Sequence, residues 1–437
     1  MEKNLIWKEK IKFYLMKKII NERAILVIIA LLILTNYAQA QTDFVWGKLF
    51  GSAKDDYVLS HVTDADGNLY VAGKTTGIIE TRNIGKNDGF LTKIDSSGNI
   101  IWSRQFGTPE EEDIQWCAID KSGNVYITGS TTGDLACKNS GKEDIFIVKY
   151  NSEGQILWSK QFGTSGSDVA KGIYADNKGN IYVTGFTEGK LGQNSYGKTD
   201  CFIMKLDNNG NLLFINQFGT PEDDYSYSVT GGPGSDILVC GSTWGDLAGK
   251  NKGFIDGFTG QFTDKGELVK YNQFGSEGFD IALILLMDNE KNIYVGGTTS
   301  GNFGGTQIGE GDCFLIKLSE QGDILWNNQF GTKNNDGIRG IDINSDISDN
   351  ILVSGVMNLP PAEAFIRMYK KDGVLLWERK FAAKGNESGT SGKDVSLDNK
   401  GNIYHLGLTG ANLFGNLIGQ HNFYLVKLRL DKAYMSH

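Results

Sequence analysis

Six acidic side chains recur along this chain at one interval. Asp56, Glu112, Asp168, Asp224, Asp280 and Asp336 lie 56 residues apart, and Thr390 takes a seventh place. A second row, Asp88, Asp144, Asp200, Asp256 and Asp312, keeps the same interval. Carboxylates gathered in this number can hold a divalent cation such as calcium, or attract a basic partner. Paired, they can do the acid–base work of a hydrolase or lyase. A plainer use competes with these: each acid accepts hydrogen bonds from nearby backbone N–H groups and fixes a corner of the chain. Unbroken repetition favours the corner, because a binding site usually breaks the symmetry of its scaffold.

Other chemistry is sparse. "DADGN", Asp64 to Asn68, opens like a calcium loop, but the twelfth position is Thr75 where such a loop needs a bidentate Glu. Equivalent places read "DKSGN" and "DNKGN", so the stretch is read as a hairpin turn. Of His61, His405, His421 and His437 none has metal-ligand spacing, although His61 and His405 fall in adjacent units if the repeats close a ring. H-E-x-x-H, G-x-S-x-G and P-loop patterns are absent. The five cysteines are odd in number and lack C-x-x-C spacing, which points to small buried apolar residues.

What varies between units is a set of loops: "TTGIIETRNIGKND", "TTGDLACKNSGKED", "TEGKLGQNSYGKTD" and "TWGDLAGKNKGFID". Binding residues concentrate on loops held by a rigid scaffold. Trp244, an aromatic found in one loop only, is the best single anchor for a ligand.

The elements that must position these residues follow from three markers. Phe-Gly pairs begin at Phe50, Phe106, Phe162, Phe218, Phe274 and Phe330, with Phe381-Ala382 a seventh. A Gly closes a second motif at Gly73, Gly129, Gly185, Gly241, Gly297, Gly355 and Gly407. The third marker is the acid of the second row. Together they define seven units. Within one unit, "IQWCAID", "VYITG", "DIFIVKY" and "QILWSKQF" are short, rich in β-branched and aromatic residues, and bounded by Asn, Asp and Gly. These are four antiparallel strands, A to D, with tight A–B and C–D hairpins. Strand C is apolar on both faces, as a strand covered on both sides must be. In strand D, Ser159 and Gln161 read as the polar side of an outer edge.

Four-stranded sheets repeated radially make a β-propeller. The chain opens on a strand D, "FVWGKLFG", and ends on a strand C, "NFYLVKLRL", so the N-terminal strand is expected to complete the last blade. The fold class is therefore all-β: a seven-bladed β-propeller of four-stranded antiparallel blades. Trp46, Trp102, Trp158, Trp326 and Trp377 recur in strand D and are expected to dock each blade on its neighbour, each burying on the order of 200 Å². Phe214 and Lys270 replace them in the middle units.

The periodic "D-G-N-x-Y-V-x-G" and "D-x-F-x-x-K-x-x-x-x-G-x-x-x-W-x-x-Q-F-G-T" resemble the bacterial SBBP β-propeller repeat across nearly the whole mature chain. "KIDSSGNIIW" also resembles the blade-docking motif of pyrroloquinoline-quinone-type propellers. The SBBP resemblance implies a secreted or surface propeller and leaves the activity unassigned. It is specific for fold.

Lys17, Lys18 and Arg23 precede the apolar run Ala24 to Leu34, and "NYAQA" ends at Ala40. Residues 1–40 read as a signal peptide, and 41–437 as one propeller domain. The eleven apolar residues are too few for a membrane span, which needs about 20. Removing the first forty residues takes away seven basic and three acidic side chains, leaving 36 against 49 and a net charge of −13. That balance argues against nucleic acid and anionic membranes as partners. The chain is expected to be an exported monomer, in the periplasm, on the outer surface or secreted. It would present one acidic, loop-lined face to a protein or glycan, without a resident cofactor. A hydrolase or lyase working through the carboxylates is the alternative.

Overall fold

The computed structural model describes residues 43–344, 346–382 and 388–435; the expected signal peptide, 1–40, lies outside them. Among the described residues the strands pair into seven four-stranded antiparallel sheets, with a single 3₁₀ turn at Lys432–Tyr434. Blade 2 shows the plan: strand A is Glu112–Ile119, B Val125–Thr131, C Asp144–Tyr150 and D Ile156–Phe162. In blades 1 to 6 the strands run outward in chain order from the axis. The hairpins form because the turn residues permit nothing else as cheaply. Gly123 and Gly154 hold φ near +78°, where a side chain would be strained. Asp120 Oδ1 meanwhile accepts the backbone N–H groups of Ser122 and Asn124.

The ring is closed as the sequence implies. Strand D of blade 7 is Asp43–Phe50, which pairs with Asn422–Arg429 from the other end of the chain, opposing Phe50 to Phe423 and Asp43 to Arg429. Strand C of blade 2, "DIFIVKY", is buried at every position. Its two faces feed separate apolar clusters shared with blades 1 and 3.

Docking between blades uses a hydrogen bond as well as area. The indole N–H of Trp102 donates to Ser152 O at 3.2 Å, in the C–D turn of the next blade. Trp46, Trp158 and Trp326 reach Ser96, Asn208 and Lys371 in the same way. The ring lies so close to the turn that a Cβ on Gly154 would stand 3.0 Å from it. Lys270 keeps the bond without the ring, donating to Glu320 O. Phe214 keeps the ring without the bond, lying beneath Gly266. Trp377 differs. It is buried against Leu428 and Leu430 of blade 7, and its N–H has no partner among the described residues. The outer strand of that blade comes from the other end of the chain, so no C–D hairpin is there to accept the bond.

One strand D expectation is corrected. Gln161 does not face outward to guard the edge: it is buried, turned in toward the B–C loop of its own blade.

Trp158→Ala should lower the urea midpoint by an amount worth about 2 kcal/mol, and Trp158→Phe by about half as much, since it keeps the ring and loses one hydrogen bond. Equal effects of the two would show that the carbonyl contact is the whole of the docking.

Candidate functional site

The D–A corners and the B–C loops share one face of the ring, because the start of strand A lies opposite the end of strand B, as Asp56 does Thr75. All six acids of the first row sit at these corners and all are buried. Glu112 accepts the N–H of Thr108 at 2.9 Å and its hydroxyl at 2.7 Å, and the hydroxyl of Thr131 at 2.8 Å. Asp56 takes the same donors from Ser52 and Thr75. Asp168, Asp224, Asp280 and Asp336 each accept the corner N–H and hydroxyl of the preceding Thr or Ser. In the seventh place Thr390 donates its hydroxyl to Phe381 O. Burial raises the carboxyl of Glu112 above its ordinary value, and the threonine donors pull it partly back. The same balance holds for the five aspartates.

The second row is buried too, with a partner that the spacing alone left unread. Gln161 Nε2 donates to Asp144 Oδ2 at 2.9 Å and to Gly133 O, while its Oε1 accepts the N–H groups of Leu135 and Ala136. Gln105, Gln217, Gln273 and Gln329 repeat the arrangement at Asp88, Asp200, Asp256 and Asp312. Each glutamine thus straps a B–C loop to strands C and D. The glycine of Phe-Gly is required by close approach: a Cβ on Gly107 would fall 2.6 Å from Glu112 Oε2 and 2.7 Å from Asp88 Oδ1. Among the described residues no three His, Cys, Asp or Glu side chains gather as a metal would need.

The lumen is lined by a different row. In every strand A the pairing with strand B slips by one residue three places after the corner, so one residue per blade is bulged out of the ladder. A bulge re-aims its side chain. In the innermost strand it aims at the axis. The bulged residues are not alike: Lys171, Arg339 and Lys393 are cations, Gln115 and Tyr227 are neutral and polar, and Leu59 and Leu283 are apolar. Arg339 in blade 6 and Tyr227 in blade 4 influence each other's ionisation through space although their blades are not neighbours, as groups facing one opening would. One residue after Gln115, Trp116 packs against two apolar clusters, one shared by blades 2 and 3 and the other by blades 5 and 6. The row was present in the sequence at the same interval as the acids, but only the slip in register says that it faces inward.

Trp244 lies on this face, where it packs 5.4 Å from Tyr225. Tyr225 in turn touches Phe186 edge-on at 4.9 Å and stacks with the bulged Tyr227 at 6.4 Å. Lys171 Nζ stands 5.7 Å from the Phe186 ring. The four aromatics form a continuous ledge from the rim into the lumen, confined to blades 3 and 4. Beside it, the loops of blades 4 and 5 enclose a cleft of about 570 Å³ edged by the stacked Phe254 and Phe279.

His61 and His405 do fall in adjacent blades, on strand A of blade 1 and strand B of blade 7. His61 Nε2 lies 2.7 Å from Ser396 Oγ, and Nδ1 is 3.2 Å from Asp394 Oδ2. The imidazole is sealed from solvent, so the group binds blade 1 to blade 7 and cannot serve an incoming substrate. His405 is buried with both ring nitrogens unpartnered, and burial, helped by His61, lowers it to about 3. Four of the five cysteines are buried and all are free.

The fold and its lumen define the class: a seven-bladed β-propeller with sevenfold walls and an asymmetric mouth. Two stretches, 101–136 and 157–192, match the SBBP family model, described as a beta-propeller repeat, so the chain carries SBBP repeats. It is 27% identical over 223 residues to the regulatory protein FlaEY of Caulobacter vibrioides, covering 45% of this chain and 22% of that protein. It is 25% identical over 203 residues to the uncharacterized WD repeat-containing protein L264 of Acanthamoeba polyphaga mimivirus, covering 37% and 14%. The matched stretches therefore span less than a quarter of either relative. Among solved structures, a polysaccharide lyase of family PL25, an ulvan lyase bound to -[GlcA(1-4)Rha3S]-, is 11% identical with a TM-score of 0.52. The match covers 89% of this chain and 100% of that one, a likeness of fold.

Two outcomes follow. Asp168→Ala strands the N–H of Thr164 and the hydroxyl of Thr187 and should cost roughly 3 kcal/mol in urea unfolding, while ligand binding at the mouth is retained; a loss of binding without a loss of stability would reassign the acid. The unfolded chain protonates His405 near pH 6.5, well above the folded value. Its contribution to stability is therefore intact above that pH and drains as pH falls toward 3. His405→Phe should flatten the acid limb of urea midpoints between pH 6 and 4, and an unchanged limb would show that another group carries it.

Proposed function

We propose that this protein is an exported binding module that receives a glycan, or a projecting part of a protein, at the loop-lined mouth of its propeller. The observation that carries the reading is the aromatic ledge of Trp244, Tyr225, Phe186 and Tyr227. Flat aromatic faces give a large contact area at little cost in side-chain freedom. The ledge occurs in two blades where the corners repeat almost unchanged in all, and departure from the repeat is what a site requires. The module acts as a monomer beyond the cytoplasmic membrane; among the described residues no helix is long and apolar enough to cross one.

The second reading is a hydrolase or lyase, favoured by the fold shared with the ulvan lyase. What weighs against the corner carboxylates as its machinery is their burial and their full set of corner donors. A glycan array and a pull-down from envelope material test the binding module. Tyr225→Ala with Trp244→Ala should weaken capture about tenfold or more, with melting temperature little changed. Capture indifferent to both substitutions would end the reading. Turnover of a bound glycan that disappears in Asp168→Asn with Asp224→Asn would put the enzyme in its place.

A further inference from the structure

Three of the seven bulged lumen residues are cations, in a chain whose net charge is −9. Among the described residues no hydrogen bond or ion pair reaches the charged ends of Lys171, Arg339 or Lys393; Lys171 has only the face of Phe186. The carboxylates nearest Lys171 are engaged elsewhere. Asp113 pairs with Lys74 at 2.7 Å and accepts from Gln115, and Glu143 accepts the hydroxyl of Ser167. No carboxylate acts on Arg339 or Lys393, and Arg339 bears on Lys393 as a like charge. Enclosure and that repulsion bring the Lys393 ammonium down to about 8. Lys171 and Lys393 are half-buried and Arg339 is exposed to the solvent of the opening, so water solvates part of this charge and a partner would gain little stability for the fold itself. In this chain the surface offers many acids, so leaving three cations unpaired in one ring is a local departure from the rest of the molecule.

From this geometry we infer that the lumen mouth is an anion-binding site, and that its ligand is a saccharide bearing carboxylate or sulfate groups. The inference rests on the binding-module reading for the saccharide, and on the cations for the charge. Arg339 can offer a planar fork of donors, which suits both carboxylate and sulfate. Lys171 and Lys393 supply point charges from blades 3 and 7, so three of the seven bulges present a cation. Gln115 and Tyr227 add neutral donors in the same ring. The ledge then carries the sugar ring, with Tyr227 common to ledge and ring of bulges. Trp116, one residue beyond the bulge and packed against both clusters, gives the opening a floor, so the ligand enters and leaves by the loop face.

The test uses the protein without its leader and four probes: a glucuronate-containing tetrasaccharide, a sulfated tetrasaccharide, a neutral glucose tetrasaccharide, and inorganic sulfate. Calorimetric titration should show one or both acidic tetrasaccharides binding, more weakly as salt rises, with the neutral one and sulfate at least tenfold weaker. Arg339→Gln and Lys393→Gln should each weaken the acidic ligand roughly tenfold. Because these cations are unpartnered, the same substitutions should leave the ligand-free melting temperature unchanged or raise it; a fall would mean the cations are structural and would overturn the site. Sulfate binding as tightly as the tetrasaccharides would overturn the saccharide. Neutral-sugar binding that depends on Tyr225 and ignores the cations would overturn this inference and leave the binding module standing. Binding of an acidic ligand that depends on the cations and ignores Tyr225 and Trp244 would overturn the ledge as the seat of the sugar, and with it the observation that carries the proposed function, and would leave the anion site standing.

Discussion

A carboxylate removed from water has to be given donors or neutralised, and the repeat of this protein is organised around that requirement. Six of the seven D–A corners bury one acid, and in five blades another opens strand C within reach of it. The Thr or Ser after Phe-Gly supplies an N–H and a hydroxyl to the first acid, and the Thr ending strand B supplies a second hydroxyl. The Gln of strand D supplies an amide to the second acid. Glycine leaves room for both carboxyls to approach. The residues of "Q-F-G-T" are therefore not separate markers but parts of one polar knot, and losing a member leaves the others buried and unpaired.

That knot makes the walls of the propeller uniform and frees the innermost strand to vary. The register slip turns one residue per blade toward the axis without disturbing the corner above it or the apolar faces behind it. A position so insulated can be Leu, Lys, Tyr, Gln or Arg without disturbing the frame around it. The asymmetry of the lumen and of the aromatic ledge is thus compatible with an almost regular frame.

The architecture was legible in the sequence because it is written as period and alternation. Seven units, four strands, tight hairpins and closure by "FVWGKLFG" all follow from spacing and from turn residues. The docking partner of Trp102 and Trp158 was legible in kind, and their target, a turn carbonyl, was not. Site reading from period alone favoured the acids, whose identity repeats. It passed over Lys171, Arg339 and Lys393, which share the interval but not the residue type. Alternation places a side chain on one face of a sheet or the other, and a bulge breaks that rule through backbone pairing, which composition does not record. Gln161 was misassigned for a related reason. Its place on the polar side of strand D is real, but that side is covered by its own blade's loop.

The strand that closes the ring carries a mechanical consequence. Asp43 stands opposite Arg429, so the two chain ends leave the antiparallel pair at the same end of it. Tension applied between them would load the ladder as a zipper, one rung at a time, and not all rungs at once in shear. The rung nearest the ends would open first, and the last, Phe50 against Phe423, is anchored by stacked rings 5.5 Å apart. A protein pulled by its termini would accordingly yield at low force along this one strand before any other blade felt the load.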